Sequence, residues 1–391
     1  MVIYDGSIET TSGTALDIQD STVDIGLTSV SSTDAENGIQ VIDTNGQVIV
    51  FGKTDDASGG TITGAENAIF VSGTEKVGFQ HMLLEDNETG IKIEDSGDFY
   101  LSESIIRTVD TWGVDAINAR LVSIDNSILE SNGESEHNRI RFLADKEGSY
   151  ELGVSNSILA ANDGSAIQVE SLSGSEGSTL GVVLSSNDLY VSHTATTGLD
   201  IDWNGTSSVT LYGNEFVSEY GDKTILDFNG IYTTDLSSIT IQQNLFTMTG
   251  SNDAAVNIKT AGESDIVASG NYLFLSESDQ TGFLFDLAED ADVNLSSNIL
   301  TSSDASATAV LFDFIGDHSS VVFTGNAFAL DTNSSLIDRG LIFDTIDGVI
   351  DLTGQNNSIT GAGEIFSAPT DHISGRVIIN GSVIEGEASD D

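Results

Sequence analysis

Acidic side chains recur just after the inward apolar position of a repeated short strand, where they could bind a cation or act as acid and base. They are Glu94, Glu170, Asp202, Asp227, Asp286, Asp313 and Asp344. Strand alternation turns them outward, and Lys259 interrupts the column once. Two interpretations stay open: a stripe that collects Ca²⁺ or meets a basic partner, and charge that keeps the sheet from pairing with other chains. Neither a GGxGxD repeat nor a DxDxDG loop occurs, so no metal ligand set is assigned.

Cleavage of a glycan is the other chemistry that acidic side chains could support, because glycosidases use a pair of carboxylates. With 62 Asp and Glu in 391 residues, however, some acidic pair lies close in any fold. The five histidines show no metal-ligand spacing. The chain has no cysteine, which excludes a cysteine nucleophile and a thiolate metal site. We therefore predict no enzyme activity, no catalytic residue and no cofactor.

The net charge of −50 restricts the partners of the chain. Nucleic acids and anionic membranes attract proteins through basic patches, and here the only grouping of basic residues is Arg107, Arg120, Arg139 and Arg141. No stretch approaches the roughly 18 consecutive apolar residues of a membrane span. We therefore predict no nucleic-acid binding and no direct membrane insertion by this segment.

An asparagine follows a short alternating apolar run and precedes another apolar side chain in each of a series of repeats. The asparagines are Asn126, Asn156, Asn187, Asn214, Asn244, Asn271, Asn298, Asn326 and Asn357. Their mean spacing is about 29 residues, which is the length of a solenoid repeat. Asn tolerates the left-handed conformation that a sharp corner requires, and stacked carboxamides can hydrogen-bond to one another. We predict that these asparagines form a structural ladder at one corner of a solenoid.

Each repeat also holds a second apolar segment, such as NGIQV at 37–41 or SAIQV at 165–169. Two or three short strands in a unit of variable length predict an all-β, right-handed parallel β-helix with little helix. We expect about 13 or 14 rungs of roughly 22 to 31 residues. One domain spans 1–391, with shorter rungs over 1–120, Asn-marked rungs over 121–385 and a polar tail over 386–391. Because the repeats run almost from end to end, the chain is predicted to be a fragment of a longer one.

Two further sets of residues follow from this arrangement. The apolar residues after the ladder asparagines should stack inside the core: Leu189, Phe216, Phe246, Leu273, Leu300 and Phe328. The stretches that depart most from the repeat are predicted to be long loops and the first places to look for contacts: 132–138, 143–149, 170–178 and 217–223.

Several features of the sequence are shared with a known group of proteins. They are the NxF and NxL rungs, the NGIQV-like rungs, an acidic surface rich in Ser, Thr, Asn and Gly, a lone Pro and the absence of Cys. The chain resembles the β-helical passenger domains of autotransporters and related secreted bacterial adhesins. The resemblance implies a non-catalytic stalk at the bacterial cell surface or outside the cell. Its partner would be a surface receptor, a glycan or a second copy of itself. A polysaccharide-active β-helix, like those of phage tailspikes, and a pure spacer are the alternatives.

Overall fold

The computed structural model describes residues 2–3, 6–130, 139–162, 164–175, 177–192, 197–219, 224–230, 236–249, 254–276, 279–303, 306–330 and 338–386. These residues form 43 β-strands and one 3₁₀ turn, Thr370–His372, with no α-helix among them. None of the helical structure in the described residues is long and apolar enough to cross a membrane. Contacts group the chain into two units, Met1–Val191 and Ser192–Asp391.

Unit 1 is built from three ladders of parallel strands, because every turn of the chain contributes one strand to each. The first ladder contains Val2–Ile3, Thr22–Leu27, Asn45–Val50, Lys76–Gln80, Asp98–Ser102, Leu121–Asp125, Ser149–Ser155 and Ser178–Ser185. The second contains Ser7–Glu9, Ser29–Thr33, Gly60–Thr63, Met82–Glu85, Ile105–Arg107, Ile128–Glu130, Ile158–Ala161 and Asp188–Val191. The third contains Leu16–Gln19, Asn37–Ile42, Asn67–Ser72, Thr89–Glu94, Val114–Ile117, Ile140–Ala144 and Ile167–Ser171.

Unit 2 repeats this plan, and one long strand, Ile350–Thr360, serves both its first and its second ladder. The first ladder also contains Gly205–Tyr212, Ser237–Gln242, Ser264–Ser269, Ala291–Ser296, Ser320–Thr324 and Ile373–Ile379. The second contains Glu215–Glu219, Leu245–Thr249, Tyr272–Leu275, Ile299–Ser302 and Ala327–Ala329. The third contains Leu199–Asp202, Leu226–Gly230, Ala254–Thr260, Thr281–Leu287, Thr308–Ile315, Arg339–Ile346 and Glu364–Ser367. The last strand, Ser382–Glu385, pairs antiparallel with Ile373–Ile379.

The register of the third ladder measures the length of each turn. In unit 1, Leu16 pairs with Ile39 and the column continues turn by turn to Ile167. In unit 2 the corresponding column advances from Leu199 to Phe366, and in both units the turns differ in length. The described strands thus make about 12 turns of roughly 27 residues, fewer than the 13 or 14 rungs expected from the repeats. The parallel β-helix predicted from the repeats is confirmed, and its right-handed coil stays a prediction.

Residues with positive φ begin the corners between ladders. Asp43, Asp95 and Asn118, for example, directly follow third-ladder strands and have φ of 45°, 49° and 53°. Asp and Asn are the non-glycine residues that enter this left-handed region at the lowest cost, because their short side chains bond locally. The frequent Asp and Asn of the polar segments are therefore part of the reason why the chain turns where it does.

The core is formed by the inward positions of the three ladders, since successive side chains of a strand point to opposite faces. Phe216 stacks on Phe246 with ring centroids 5.0 Å apart, and Phe312 stacks on Phe343 at 4.6 Å. Trp203 is fully buried. The six apolar residues predicted to stack are all buried: Leu189, Phe216, Phe246, Leu273, Leu300 and Phe328. Those of unit 2 pair in register from turn to turn.

Candidate functional site

A hydrogen-bonded asparagine ladder lies buried between the first and second ladders of unit 2. Asn271 is typical: its Oδ1 accepts from the backbone N–H and from Nδ2 of Asn244, at 3.0 and 3.1 Å. Its own Nδ2 donates to the carbonyl of Ile241 at 2.8 Å. The same pattern joins Asn214, Asn244, Asn271, Asn298, Asn326 and Asn357. Because the row is buried, its task is to satisfy the backbone at the corner and it offers no surface to a ligand.

Two predicted members do not belong to the ladder. Asn126 and Asn156 are exposed, and the ladder position is taken by the next residue of each, Ser127 and Ser157. Ser127 N–H donates to Oγ of Ser157, and Ser157 N–H donates to Oδ1 of Asn187, at 3.1 and 3.0 Å. A serine hydroxyl can accept the same backbone bond as a carboxamide oxygen. These earlier turns therefore form the same corner with a serine in place of the asparagine.

The prediction that the ladder asparagines adopt the left-handed conformation is also wrong. Positive φ is found at the residue before the buried Asn, for example 55° at Gln243 and 57° at Ser297. Asn126 and Asn156 occupy this preceding position, with φ of 47° and 50°. The turn thus divides two tasks between neighbours: one residue takes the strained conformation and the next supplies the hydrogen bonds.

The seven acidic residues predicted to form one outward column do not do so. In unit 1, Ile117 and Leu143 separate Glu94 from Glu170 along the column. In unit 2 the column of Asp202 continues through Asn229 and Lys259 to Asp286. Asp227 pairs with Asp200 instead, and the register shift after Phe285 displaces Asp313 from the row, with Asp344 one turn further on. The bulge and the two-residue offset of Asp227 were not visible in the sequence.

Asp202 lies in a partly buried position near a second carboxylate, Asp227. Partial burial, and then the charge of Asp227, raise the pKa of Asp202. No three His, Asp or Glu side chains of the described residues are arranged to hold a metal ion. An open depression of 440 Å³ collects several acids, Glu263, Asp265, Asp290 and Asp292, with His318 and Leu236. No Phe, Tyr or Trp ring in the described part of the chain lines it, so it lacks the usual stacking platform for a sugar.

The predicted arginine grouping is dispersed by ion pairing between turns. Arg107 binds Glu85 at 2.7 Å, and Arg120 binds Asp98. Arg141 binds Asp115 through two bonds of 2.7 and 3.0 Å, with its guanidinium 4.1 Å from the centroid of the Trp112 ring. Burial lowers the pKa of Arg139 to about 10. Arg107, Arg120 and Arg141 each pair with a carboxylate of the preceding turn.

The predicted loops are shorter than expected where they are described. The stretch 132–138 lies outside the described residues. Of 143–149, only 145–148 separates two strands, and of 170–178, only 172–177 does, with residue 176 undescribed. Residues 217–219 continue a second-ladder strand, Glu215–Glu219, and 220–223 are not described.

The feature of unit 2 that sequence reasoning missed is an uncharged surface that wraps around the asparagine corner. It comprises the outward residues of four consecutive turns, from the later part of the first ladder, the corner and the second ladder. They are Thr240, Gln242, Gln243, Leu245, Thr247, Val267, Ser269, Gly270, Tyr272, Phe274, Asn294, Ser296, Ser297, Ile299, Thr301, Val322, Thr324, Gly325, Ala327 and Ala329. None is charged, although the chain carries 62 acidic residues.

The second-ladder side of this uncharged surface is its apolar part. Leu245, Tyr272, Ile299 and Ala327 lie in one column across four turns. Tyr272 and Ile299 are 41% and 43% exposed. On the other side the surface ends at outward carboxylates of the first ladder, such as Asp265 and Asp292. The signal was present in the sequence as the stretches QQNLF, SGNYLF and SSNIL, but only the register places them side by side.

Comparison with known proteins gives no family: no family model matches the chain, and no curated protein or solved structure is significantly similar to it.

Proposed function

We propose that this chain is a non-catalytic module of a bacterial cell-surface or secreted protein, and that it attaches by self-association through the uncharged surface. The observation that carries the proposal is that none of the residues of the uncharged surface carries a charge, on a chain with a net charge of −50. The resemblance to bacterial passenger domains supports the location at the cell surface. The glycan-cleaving alternative has no comparable support, because no Phe, Tyr or Trp ring lines the acidic depression among the residues described.

A second copy is the occupant that fits this surface best. Two copies repel each other over most of their acidic surface, so contact costs least where neither presents a carboxylate. Interface centres are depleted of charged residues and enriched in exposed aromatic residues. Tyr272 is an exposed aromatic residue in an uncharged surface, and Ile299 lies beside it. A two-fold contact would bring the same surface of both copies together, as in most homodimers.

The size of the uncharged surface sets the strength of this contact. Four strands about 4.8 Å apart, crossed by eight residues of about 3.3 Å each, cover roughly 500 Å². A stable interface buries about 800 Å² on each partner. The association is therefore weak and reversible for an isolated module. Many copies held close together on one surface would raise its effective strength through multivalency.

Sedimentation velocity over about 10 µM to about 1 mM tests the proposal. We expect a monomer at the lower end and dimers at the upper end. Thr301→Glu places a charge inside the uncharged surface and should abolish dimers. Thr345→Glu makes the same change at an exposed third-ladder position and should leave them. A monomer at every concentration, or equal effects of the two variants, would reject the proposal.

Salt distinguishes this contact from one made by ion pairs. Raising the ionic strength from about 0.02 M to about 0.5 M shortens the screening length and weakens the repulsion between two acidic copies. Dimerisation through an uncharged surface should therefore strengthen with salt. Weaker association at high salt would assign the contact to ion pairs elsewhere. Binding of a purified receptor or glycan to the same surface, without dimers, would assign it a different occupant.

A further inference from the structure

Unit 1 carries a slot on the outer face of its first ladder. Five consecutive turns place Ile49, Gly78, Tyr100, Ser123 and Gly153 in one outward column. Gly78 has no side chain, so Ile49 and Tyr100 stand on either side of a gap above its backbone. The resulting cavity has a volume of 320 Å³.

The width of the slot matches a single ring. Ile49 and Tyr100 are two strands apart, which separates their backbones by about 9.6 Å. After each side chain takes its own contact radius, one flat layer fits between the aliphatic wall and the aromatic wall. Phe51, which is 44% exposed, extends the apolar lining at one end. The slot therefore has one aliphatic wall and one aromatic wall.

The rim of the slot is polar on several sides. Lys76, Gln80, Ser102, Ser123 and Asp125 line it, and together they offer an ammonium, an amide, two hydroxyls and a carboxylate. The ammonium of Lys76 lies 5.2 Å from the centroid of the Tyr100 ring. The phenol of Tyr100 is oriented by Asp98, to which it donates at 3.4 Å. The rim thus supplies both donors and acceptors around an apolar centre.

We propose that this slot binds a neutral pyranose residue of a glycan. A pyranose has an apolar C–H face, which stacks on an aromatic ring, and hydroxyls at its edge, which need the donors and acceptors of the rim. An aromatic ligand would leave most of these rim groups unsatisfied. A uronate would place its carboxylate beside Asp125, on a chain with a net charge of −50, with the ammonium of Lys76 as the cation of the rim. The class of ligand is therefore a neutral sugar.

This proposal is independent of self-association, because the slot lies in unit 1 and the uncharged surface in unit 2. Loss of one leaves the other intact. The two can be tested on the same chain with separate variants.

Gly78→Val is the sharpest test of the slot. A Cβ at Gly78 would lie 3.8 Å from side-chain atoms of both Ile49 and Tyr100, which is ordinary contact, so the strand accepts the substitution while the slot is filled. Gly153→Val is the matched control: it lies in the same column, and its Cβ would meet nothing within 4 Å. Tyr100→Ala removes the stacking ring without filling the slot, and Tyr100→Phe retains it.

Saturation-transfer NMR and titration with cellobiose, maltose, lactose, chitobiose and digalacturonate measure the binding. We expect at least one neutral disaccharide to bind more tightly than digalacturonate, with Kd near the millimolar range, roughly −4 kcal/mol. Gly78→Val and Tyr100→Ala should weaken it at least about tenfold, and Gly153→Val and Tyr100→Phe less than about twofold. No binding of any neutral disaccharide, tighter binding of digalacturonate, or equal loss in Gly78→Val and Gly153→Val would overturn the proposal.

Discussion

Asn244 donates both its backbone N–H and its side-chain Nδ2–H to the single Oδ1 of Asn271, at 3.0 and 3.1 Å. One carboxamide thus satisfies two donors of the neighbouring turn, while its own Nδ2 donates to the carbonyl of Ile241 at 2.8 Å. Buried backbone groups that lose such partners carry the full cost of desolvation. The ladder therefore ties each turn of unit 2 to the next at a place where water cannot substitute.

Asn271→Ala should destabilise unit 2 by about 3 kcal/mol. The substitution leaves the N–H of Asn244 and the carbonyl of Ile241 buried without this partner, and it also opens a small cavity. Urea unfolding followed by circular dichroism measures the change. Asn294→Ala is the matched control, because Asn294 faces outward in the first ladder and its loss should cost less than about 1 kcal/mol. Similar costs for both would show that the ladder does not stabilise the fold.

Glycine substitutions at two adjacent residues should have opposite effects. Ser297 has a φ of 57°, where a non-glycine residue is strained, so Ser297→Gly should be neutral or stabilising by up to about 1 kcal/mol. Asn298 is buried and donates and accepts within the ladder, so Asn298→Gly should cost about 3 kcal/mol. Thermal unfolding compares the pair. If Ser297→Gly cost more stability than Asn298→Gly, the left-handed conformation would have to be assigned to the ladder asparagine instead.

Asp202→Asn should stabilise unit 2 at neutral pH. Burial, and then the charge of Asp227, raise the pKa of Asp202, so the folded state binds a proton more tightly than the unfolded chain. The free energy of unfolding therefore falls as the pH rises from the ordinary value of 3.8 through the raised value, and the cost is complete above it. At pH 7 the variant should melt higher by on the order of 1–3 °C. Below the ordinary pKa this difference should vanish.

Asp265→Asn, an exposed carboxylate in the same unit, controls for the loss of one negative charge from a strongly acidic chain. An equal rise in the melting temperature with Asp265→Asn would attribute the gain at Asp202 to net charge alone.

Arg141→Lys should destabilise unit 1 although it keeps the charge. The guanidinium makes two bonds to Asp115, which is almost fully buried, and lies over Trp112. An ammonium cannot reproduce the two parallel bonds or the flat stacking contact. We expect a loss of about 1–2 kcal/mol by urea unfolding. Arg120→Lys, at a more exposed pair with Asp98, should cost less than about 0.5 kcal/mol, and a larger loss there would contradict this assignment.

The sequence predicts the fold well because two patterns can be recognised in it directly: the regular spacing of the asparagines and the alternation of apolar and polar residues in the strands. It misplaces Asn126 and Asn156 because the positive-φ residue and the ladder residue are neighbours, and Ser127 takes the ladder role without the Asn. It joins Asp227 to the wrong column because a shift of two residues along a strand leaves the outward direction unchanged.

The two surfaces proposed to bind partners depend on the register between turns. Tyr272 and Ile299 are neighbours only because their strands pair, and the slot exists only because Gly78 lies between Ile49 and Tyr100. Each of these residues is ordinary in its own turn. Uncharged residues, or a missing side chain, form a surface or a slot only when adjacent turns are aligned. Because the turns vary in length, this alignment cannot be read from the sequence.

Cross-linking at one engineered cysteine tests self-association most directly, because the chain has no cysteine of its own. Thr301→Cys and Thr345→Cys, treated with a short bismaleimide at about 0.5 mM protein, place the same reactive group inside and outside the uncharged surface. Self-association through the uncharged surface should give covalent dimers in high yield for Thr301→Cys and little above background for Thr345→Cys. Equal yields, or more dimer from Thr345→Cys, would contradict it.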